Sequence, residues 1–305
     1  MAVVQISRIQ VRRGKGTNGI PQLAGGEFGW AVDNRTLHIG NGSVAEGSPA
    51  VGNTKIITEH DDLFTLANTY TYLNGITVQT GASATSPITR TLQSRLDEIV
   101  NVKSFGATGD GATDETVAIQ RAIDQLYINS STKGTEQSRV KLHFPAGLYK
   151  VSATIYIPPY CTIHGDGVDK TKFNMTGDTP VFQTVNSTST PGNYANDSTS
   201  TTLNQASNIA IEGITIQTVS TTNPAIRLQS CKSSNFRSIK ITGPWTTGTA
   251  VTTANAGMEL ESLSTLVSTQ DNKFDHIMVM GLSVAIASDD DIYNNHFNCC
   301  NFENL

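Results

Sequence analysis

A spacing that recurs four times in the second half of the chain constrains the fold more than any other feature. The pattern apolar-x-x-apolar-x-apolar falls on Ile211, Ile214 and Ile216, then on Phe236, Ile239 and Ile241. It returns on Phe274, Ile277 and Val279, and again on Phe297, Cys300 and Phe302. Successive starts lie 25, 38 and 23 residues apart, each with an asparagine just upstream: Asn208, Asn235, Asn272 and Asn295. Shorter alternating runs at 225–228, 258–261 and 284–286 lie between them. A period near 23–25 residues describes a solenoid, because one such unit cannot bury its apolar face and must stack on its neighbours. Leucine-rich repeats share the spacing, but here Ile, Phe, Val and Cys replace Leu, and the asparagine precedes the strand. The pattern predicts a parallel β-helix, with residues 187–204 as a polar loop between coils.

Composition agrees. Thr, Ser and Asn supply 89 of 305 residues, charged residues only 15 %, and the net charge is −5. Disorder of the common kind needs high net charge and few β-branched residues, and a coiled coil needs Ala, Glu, Lys and Leu, so both are excluded for most of the chain. The single basic cluster, Arg8, Arg12, Arg13 and Lys15, is too small for a nucleic-acid footprint. No apolar run reaches the ~18 residues of a membrane span, and no basic-then-apolar leader marks Sec export. Cys161, Cys231, Cys299 and Cys300 form no Cys-x-x-Cys pair and are expected in the core of a protein assembled in a reducing cytoplasm.

Three regions follow. Residues 1–53 hold short β runs at 6–11, 28–32 and 36–39, the last two joined at Asp33-Asn34. So small a β unit has too little core to stand alone, and oligomerisation is the usual remedy. Residues 54–99 read as a connector with short helices near 61–72 and 90–99, the second with Leu92, Leu96 and Ile99 on one face. From residue 100 a strand and a glycine-rich turn lead into a helix opened by Thr113-Asp114-Glu115-Thr116, with a capping hydroxyl and early acids. That helix is expected to bury Ile119, Ala122, Ile123 and Leu126, and strands resume near 140–144, 148–151 and 153–157.

The run VNVKSFGATGDGATDET from Val100, continuing as AIQRAID over 118–124, resembles the opening motif of pectate-lyase-like right-handed β-helices. FPAGLYKV over 144–151, IYIP over 155–158 and IHGDG over 163–167 are similar to that family's next strands. The resemblance covers 100–305 and implies a helix capping the first coil. The leading segment resembles the attachment module of bacteriophage tailspikes and tail fibres. It does so through Arg12-Arg13-Gly14, Pro21, Leu23, Gly26-Glu27, Gly29, Asp33, Leu37 and Ile39-Gly40-Asn41-Gly42. TLQSRL over 91–96 is also similar to tailspikes. Together they imply a mainly all-β chain: a small N-terminal β module, a short helical connector and a helix-capped right-handed parallel β-helix. They imply a homotrimeric subunit that docks on tail or baseplate proteins through residues 1–53 and meets a host capsule or lipopolysaccharide glycan. Nucleic acid and membrane insertion have no part in this reading, and the virion is the expected location, after assembly in the host cytoplasm. The chain is expected to be the front of a longer fibre, because the last repeat carries no capping segment.

Chemistry is less legible. Glycoside hydrolysis needs two carboxylates, and the candidate pairs are Glu259 with Glu261 and Asp289 with Asp291. Solvated strand and turn carboxylates are the plainer account of both. Asp110 and Asp114 are expected to serve turn and helix cap. His276 and His296 are expected at the surface or in cross-coil hydrogen bonds. No cofactor or metal is implied. Polysaccharide depolymerase (endoglycosidase or polysaccharide lyase, its site expected in coils beyond this segment), non-enzymatic structural or adhesin fibre, and secreted pectinolytic enzyme stay open at this point; the missing export signal and the fibre-like leading module count against the last.

Overall fold

The computed structural model describes residues 11–16, 19–42, 52–56, 70–71, 89–90, 99–129, 140–195, 197–244 and 256–303. The chain divides into two units, Met1–Arg95 and Leu96–Leu305. In the first, β1 (Arg12–Gly14) lies parallel to β2 (Phe28–Ala31), which continues antiparallel into β3 (Thr36–Gly40) and β4 (Asn53–Ile56). Leu23 and Ala31 form its small buried core. Gly40 is required there, because a Cβ would sit 2.1 Å from the Ala24 carbonyl oxygen. A two-residue pair, β5 (Tyr70–Thr71) with β6 (Thr89–Arg90), follows. The connector helices expected near 61–72 and 90–99 fall outside the described residues, apart from Tyr70, Thr71, Arg90 and Ile99, which lie in strands. The strand expected at 6–11 likewise lies outside them, except for Val11.

The second unit winds in parallel coils. The first carries β7 (Ile99–Asn101), β8 (Asp110–Asp114) and helix α1 (Thr116–Ile123). The second carries β9 (Lys141–Phe144), β10 (Gly147–Val151) and β11 (Ile155–Ile157). The third carries β12 (Thr162–Gly165), β13 (Thr171–Met175) and β14 (Phe182–Thr184). Thereafter two short strands fuse into one long one: β15 (Ala210–Gln217) with β16 (Ile226–Gln229), then β17 (Asn235–Thr242) with β18 (Ala256–Glu261). The last coils hold β19 (Lys273–Met280) with β20 (Val284–Ser288), and β21 (His296–Asn298) with β22 (Asn301–Glu303). Every strand pair between coils is parallel, and three faces result. Face A runs β7-β9-β12-β15-β17-β19-β21; face C runs β11-β14-β16-β18-β20. Face B stacks β8, β10 and β13 on the second halves of β15, β17 and β19, then on β22. Among the described residues no helix is long and apolar enough to cross a membrane.

The recurring x-x now has a physical cause. Residues after the first apolar position alternate out and then turn the corner from face A to face B in the left-handed region, at Gly213 (φ 71°), Ser238 (φ 53°), His276 (φ 55°) and Cys299 (φ 51°). These four stand on one another in the strand register. A second left-handed corner precedes face A at Asn208, Ser233, Asp271 and Asn294. Both corners return the next apolar residue inward, so a strict two-residue alternation is broken at each of them.

Inside, like residues stack. Phe236, Phe274 and Phe297 lie face to face at centroid spacings of 5.1 and 4.5 Å, and Phe297, in the last described coil, is 43 % exposed. The upstream asparagines do not share one register. Asn272 and Asn295 sit one residue past the corner and form a ladder, Asn272 buried and Asn295 half-buried: Asn272 Nδ2 donates to Asn295 Oδ1 at 2.9 Å, while Asn272 Oδ1 accepts from Ser234 N at 3.0 Å. Asn208 is itself a corner residue, and Asn235 opens β17 on the exposed side. Cys161 and Cys231 are buried, and burial pushes both thiols up, Cys231 to about 12. The expectation of four core cysteines fails for the other two. Cys299 is exposed because it turns a corner, and Cys300 is only partly buried in the last described coil.

The opening motif builds the cap. Ile119, Ala122 and Ile123 of α1 are buried as expected, while Leu126 is half-buried in the irregular turn after the helix. No hydroxyl caps the helix. Asp114 Oδ1 instead accepts the Thr116 N–H at 3.0 Å, and its other oxygen accepts the Ser152 hydroxyl. Gln120 closes the free edge of face C, accepting from Tyr156 N at 2.8 Å and donating to Tyr156 O at 3.3 Å, so that β11 offers no open pairing edge there. Asp110 accepts from Ala112 N and Thr113 N at 2.8 and 2.9 Å. The Thr113 N–H, then that of Ala112, holds the Asp110 carboxyl at about 2 against an ordinary 3.8.

Two outcomes follow. Gly213→Val is expected to lower stability by about 1–3 kcal/mol through the left-handed backbone, besides its Cβ meeting the Gly165 carbonyl oxygen at 2.7 Å. Ser238→Gly at the equivalent corner is expected to be neutral or to raise it by up to about 1 kcal/mol; urea midpoints compare the two. A depressed folded pKa contributes stability that is present above the unfolded value and lost on acidification. Asp110→Asn should therefore flatten the acid limb of the stability profile as the pH falls from 3.8 through about 2.

Candidate functional site

Face C points alternate residues inward and outward, and its outward residues in β16 and β18 are polar. Arg227 pairs with Glu259 and Gln229 with Glu261 in the register, while Ile226, Leu228, Met258 and Leu260 fill the interior. Arg227 Nε lies 2.9 Å from Glu259 Oε2 and 3.2 Å from Glu261 Oε1. Gln229 Nε2 donates to Glu261 Oε2 at 2.7 Å, and Gln183 Nε2 donates to Gln229 Oε1 at 3.1 Å. Asp289 follows β20 and accepts the Ser262 N–H at 3.2 Å. Asp197, from a short turn in the loop between β14 and β15, completes an open groove of about 510 Å³ with Gln229, Glu259, Glu261 and Asp289.

Two carboxyls in this groove are pushed toward the protonated form. Burial raises Glu261, and the charge of Glu259 adds to it against the opposing Gln229 and Arg227. Burial also raises Asp197, and Asp289 adds to it, while the Ser230 and Ser200 hydroxyls act the other way. Asp197 Oδ1 is buried with no hydrogen-bond partner among the described residues. A carboxyl whose proton affinity is raised by burial beside ionisable neighbours is the kind of group that general-acid catalysis uses.

The structure thus gathers three of the four sequence candidates, Glu259, Glu261 and Asp289, in one groove. Asp291 is not part of its lining: it turns with φ 62° and accepts the Tyr293 hydroxyl at 3.0 Å. Nothing in the linear sequence marks Asp197 or Arg227, because the first sits in a polar loop and the second in an ordinary alternating strand. Face A hides a second ionic set that only stacking reveals. His143 Nε2 lies 2.7 Å from Asp166 Oδ1, and His164 Nδ1 lies 2.7 Å from Glu212 Oε1, with Arg237 and Lys141 at 3.3 and 3.6 Å from Glu212. Burial raises Glu212, but the hydrogen bond from His164 and the charges around it outweigh this and hold it low. His276 and His296 are both exposed, and His276 Nδ1 faces Asp275 of its own coil at 2.9 Å rather than bonding across coils.

Residues 99–303 match the family described as rhamnogalacturonase A/epimerase, pectate lyase-like. The chain belongs to that family. Its coils, with the helix at their head, are a right-handed parallel β-helix of the pectate-lyase kind, as the opening motif implied. A glucan 1,3-beta-glucosidase of Cochliobolus carbonum is 40 % identical over 67 residues, which cover 22 % of this chain and 7 % of that protein. A pre-neck appendage protein of Bacillus phage B103 is 36 % identical over 70 residues, 23 % of this chain and 7 % of that one. These matches span less than a tenth of either relative's length. The structure of Geobacillus virus E2 ORF18 shares the fold at a TM-score of 0.50 and 20 % identity, over 95 % of this chain and 54 % of that one.

Arg227 is the counter-charge for two half-buried acids. Arg227→Gln is expected to cost about 1–3 kcal/mol at neutral pH, between the worth of an exposed pair and the penalty for a buried orphaned charge. The deficit should shrink as the pH falls and Glu261, already raised, takes up its proton. Urea midpoints at neutral and mildly acid pH check this.

Proposed function

We propose that the chain is a phage tailspike or tail-fibre subunit that binds a host capsule or lipopolysaccharide glycan and hydrolyses it in the groove on face C. Residues 1–53 dock on tail or baseplate proteins, and the subunits act as a homotrimer. The observation that carries the enzymatic reading is a pair of carboxyls raised by burial, Glu261 and Asp197, in a groove that also holds Glu259 and Asp289. Family membership and similarity to a phage appendage protein and a polysaccharide-cleaving enzyme support it.

In this reading Glu261 protonates the glycosidic oxygen. Glu259 is not its partner in this reading: it shares the Arg227 side chain with Glu261 and acts on Glu261 directly, whereas a hydrolytic pair must leave room for a sugar or a water between its carboxyls. Glu259 instead discourages loss of the Glu261 proton. Asp289, oriented by the Ser262 N–H and lining the same groove, serves as the base. Asp197 lines the groove wall, where it can hydrogen-bond sugar hydroxyls.

One observation favours a non-enzymatic adhesin: Arg227 and Gln229 satisfy both glutamates, as a purely structural cross-coil bridge would. The test incubates the protein with host capsule or lipopolysaccharide and assays new reducing ends and unsaturated uronates. Glu261→Gln should lower reducing-end release about 10²-fold or more while glycan binding persists. Binding without release of either product, across the host's glycans, assigns the adhesin role.

A further inference from the structure

Away from the groove, the corner between faces A and B collects three side chains of different chemistry. His276 and Cys299 occupy the same left-handed position in successive coils, because Asp275 pairs with Asn298 and Met278 with Asn301 on either side of them. Two parallel strands hold residues in register about 4.8 Å apart, so a 23-residue separation in sequence becomes adjacency in space. Asp275 precedes His276 and places a carboxylate oxygen beside the ring. One donor atom from each of Asp275, His276 and Cys299 lies within 4.8 Å of the other two.

The earlier coils put Gly213 and Ser238 at this corner, which left-handed backbone tolerates or asks little of. Histidine and cysteine gain nothing from it, and their exposure means that core packing does not account for them. Asn298 ties the set together: its Nδ2 donates to Asp275 Oδ1 at 2.9 Å, and its Oδ1 lies 3.6 Å from Cys299 Sγ. We propose that Asp275, His276 and Cys299 form a binding site for a divalent transition metal of the zinc type, with Asn298 as a positioning residue. Carboxylate, imidazole and thiolate are the donors such an ion takes, and three protein ligands leave a fourth position open to water. Bonds of about 2.0–2.3 Å require donor separations of about 3.3–3.8 Å in a tetrahedron, which side-chain rotation can reach from the present spacing. The thiol gives its proton to solvent as the metal–sulfur bond forms. The site clips two coils together at an outer corner.

Cobalt(II), a spectroscopic substitute for zinc, is the probe. Titrated into the 305-residue chain, it should bind one equivalent and produce a thiolate-to-cobalt charge-transfer band. Cys299→Ser should abolish the band, and Cys300→Ser should leave it intact. His276→Asn keeps a residue that accepts left-handed backbone and the thiol, and should lose the tight equivalent. Asn298→Ala should weaken binding about tenfold. Circular dichroism confirms that each variant is folded. Absence of a charge-transfer band in the parent chain, or its persistence in folded Cys299→Ser, overturns the proposal.

Discussion

Everything in the second unit depends on parallel strands that repeat in register with the coil above. Their hydrogen bonds fix which residue of one coil lies over which residue of the next, and the left-handed corners keep that register by turning the chain at the same place each time. Once both are set, the interior needs only apolar residues of compatible volume. The outside becomes a lattice on which residues 20 to 50 positions apart are immediate neighbours. Stability is therefore a sum of coil-to-coil contacts, a form in which local errors stay local.

The same lattice governs the charges. Few charged residues are present, and several of them are matched across coils: Arg227 over Glu259, His164 over Glu212, Glu212 over Arg237. A charge in one coil meets its partner in the next without cost to either backbone. Groups with unequal surroundings then acquire unequal proton affinity. Glu212, with Lys141 and Arg237 beside it and a hydrogen bond to His164, is held ionised, whereas Glu261, buried and beside the charge of Glu259, is pushed the other way.

The fold was legible because the inward residues obey one spacing and the cap obeys one motif. Ile211, Phe236, Phe274 and Phe297 share one register, and α1 buries three of the four residues its periodicity implied, Leu126 falling past its end. The upstream asparagines looked equivalent and were not: a shift of one or two residues moves the side chain from corner to interior to solvent. Cys299 looked like core because alternation was extended through a corner that reverses it. The groove was half legible. Glu259 and Glu261 share a strand, so their proximity follows from alternation alone. Arg227 and Asp197 reach them only through stacking and through an inserted loop, and neither relation has a linear signature.

That loop has a consequence for how such a surface can change. The floor of the groove is set by β16 and β18, whose positions the whole stack enforces. Asp197, in contrast, arrives on a segment that leaves β14 and rejoins at β15 without adding a strand to any face. Its length and composition can drift while the coils beneath keep their pitch. Ligand preference and structural integrity are thereby written in separate stretches of chain, and selection can revise the first without reopening the second.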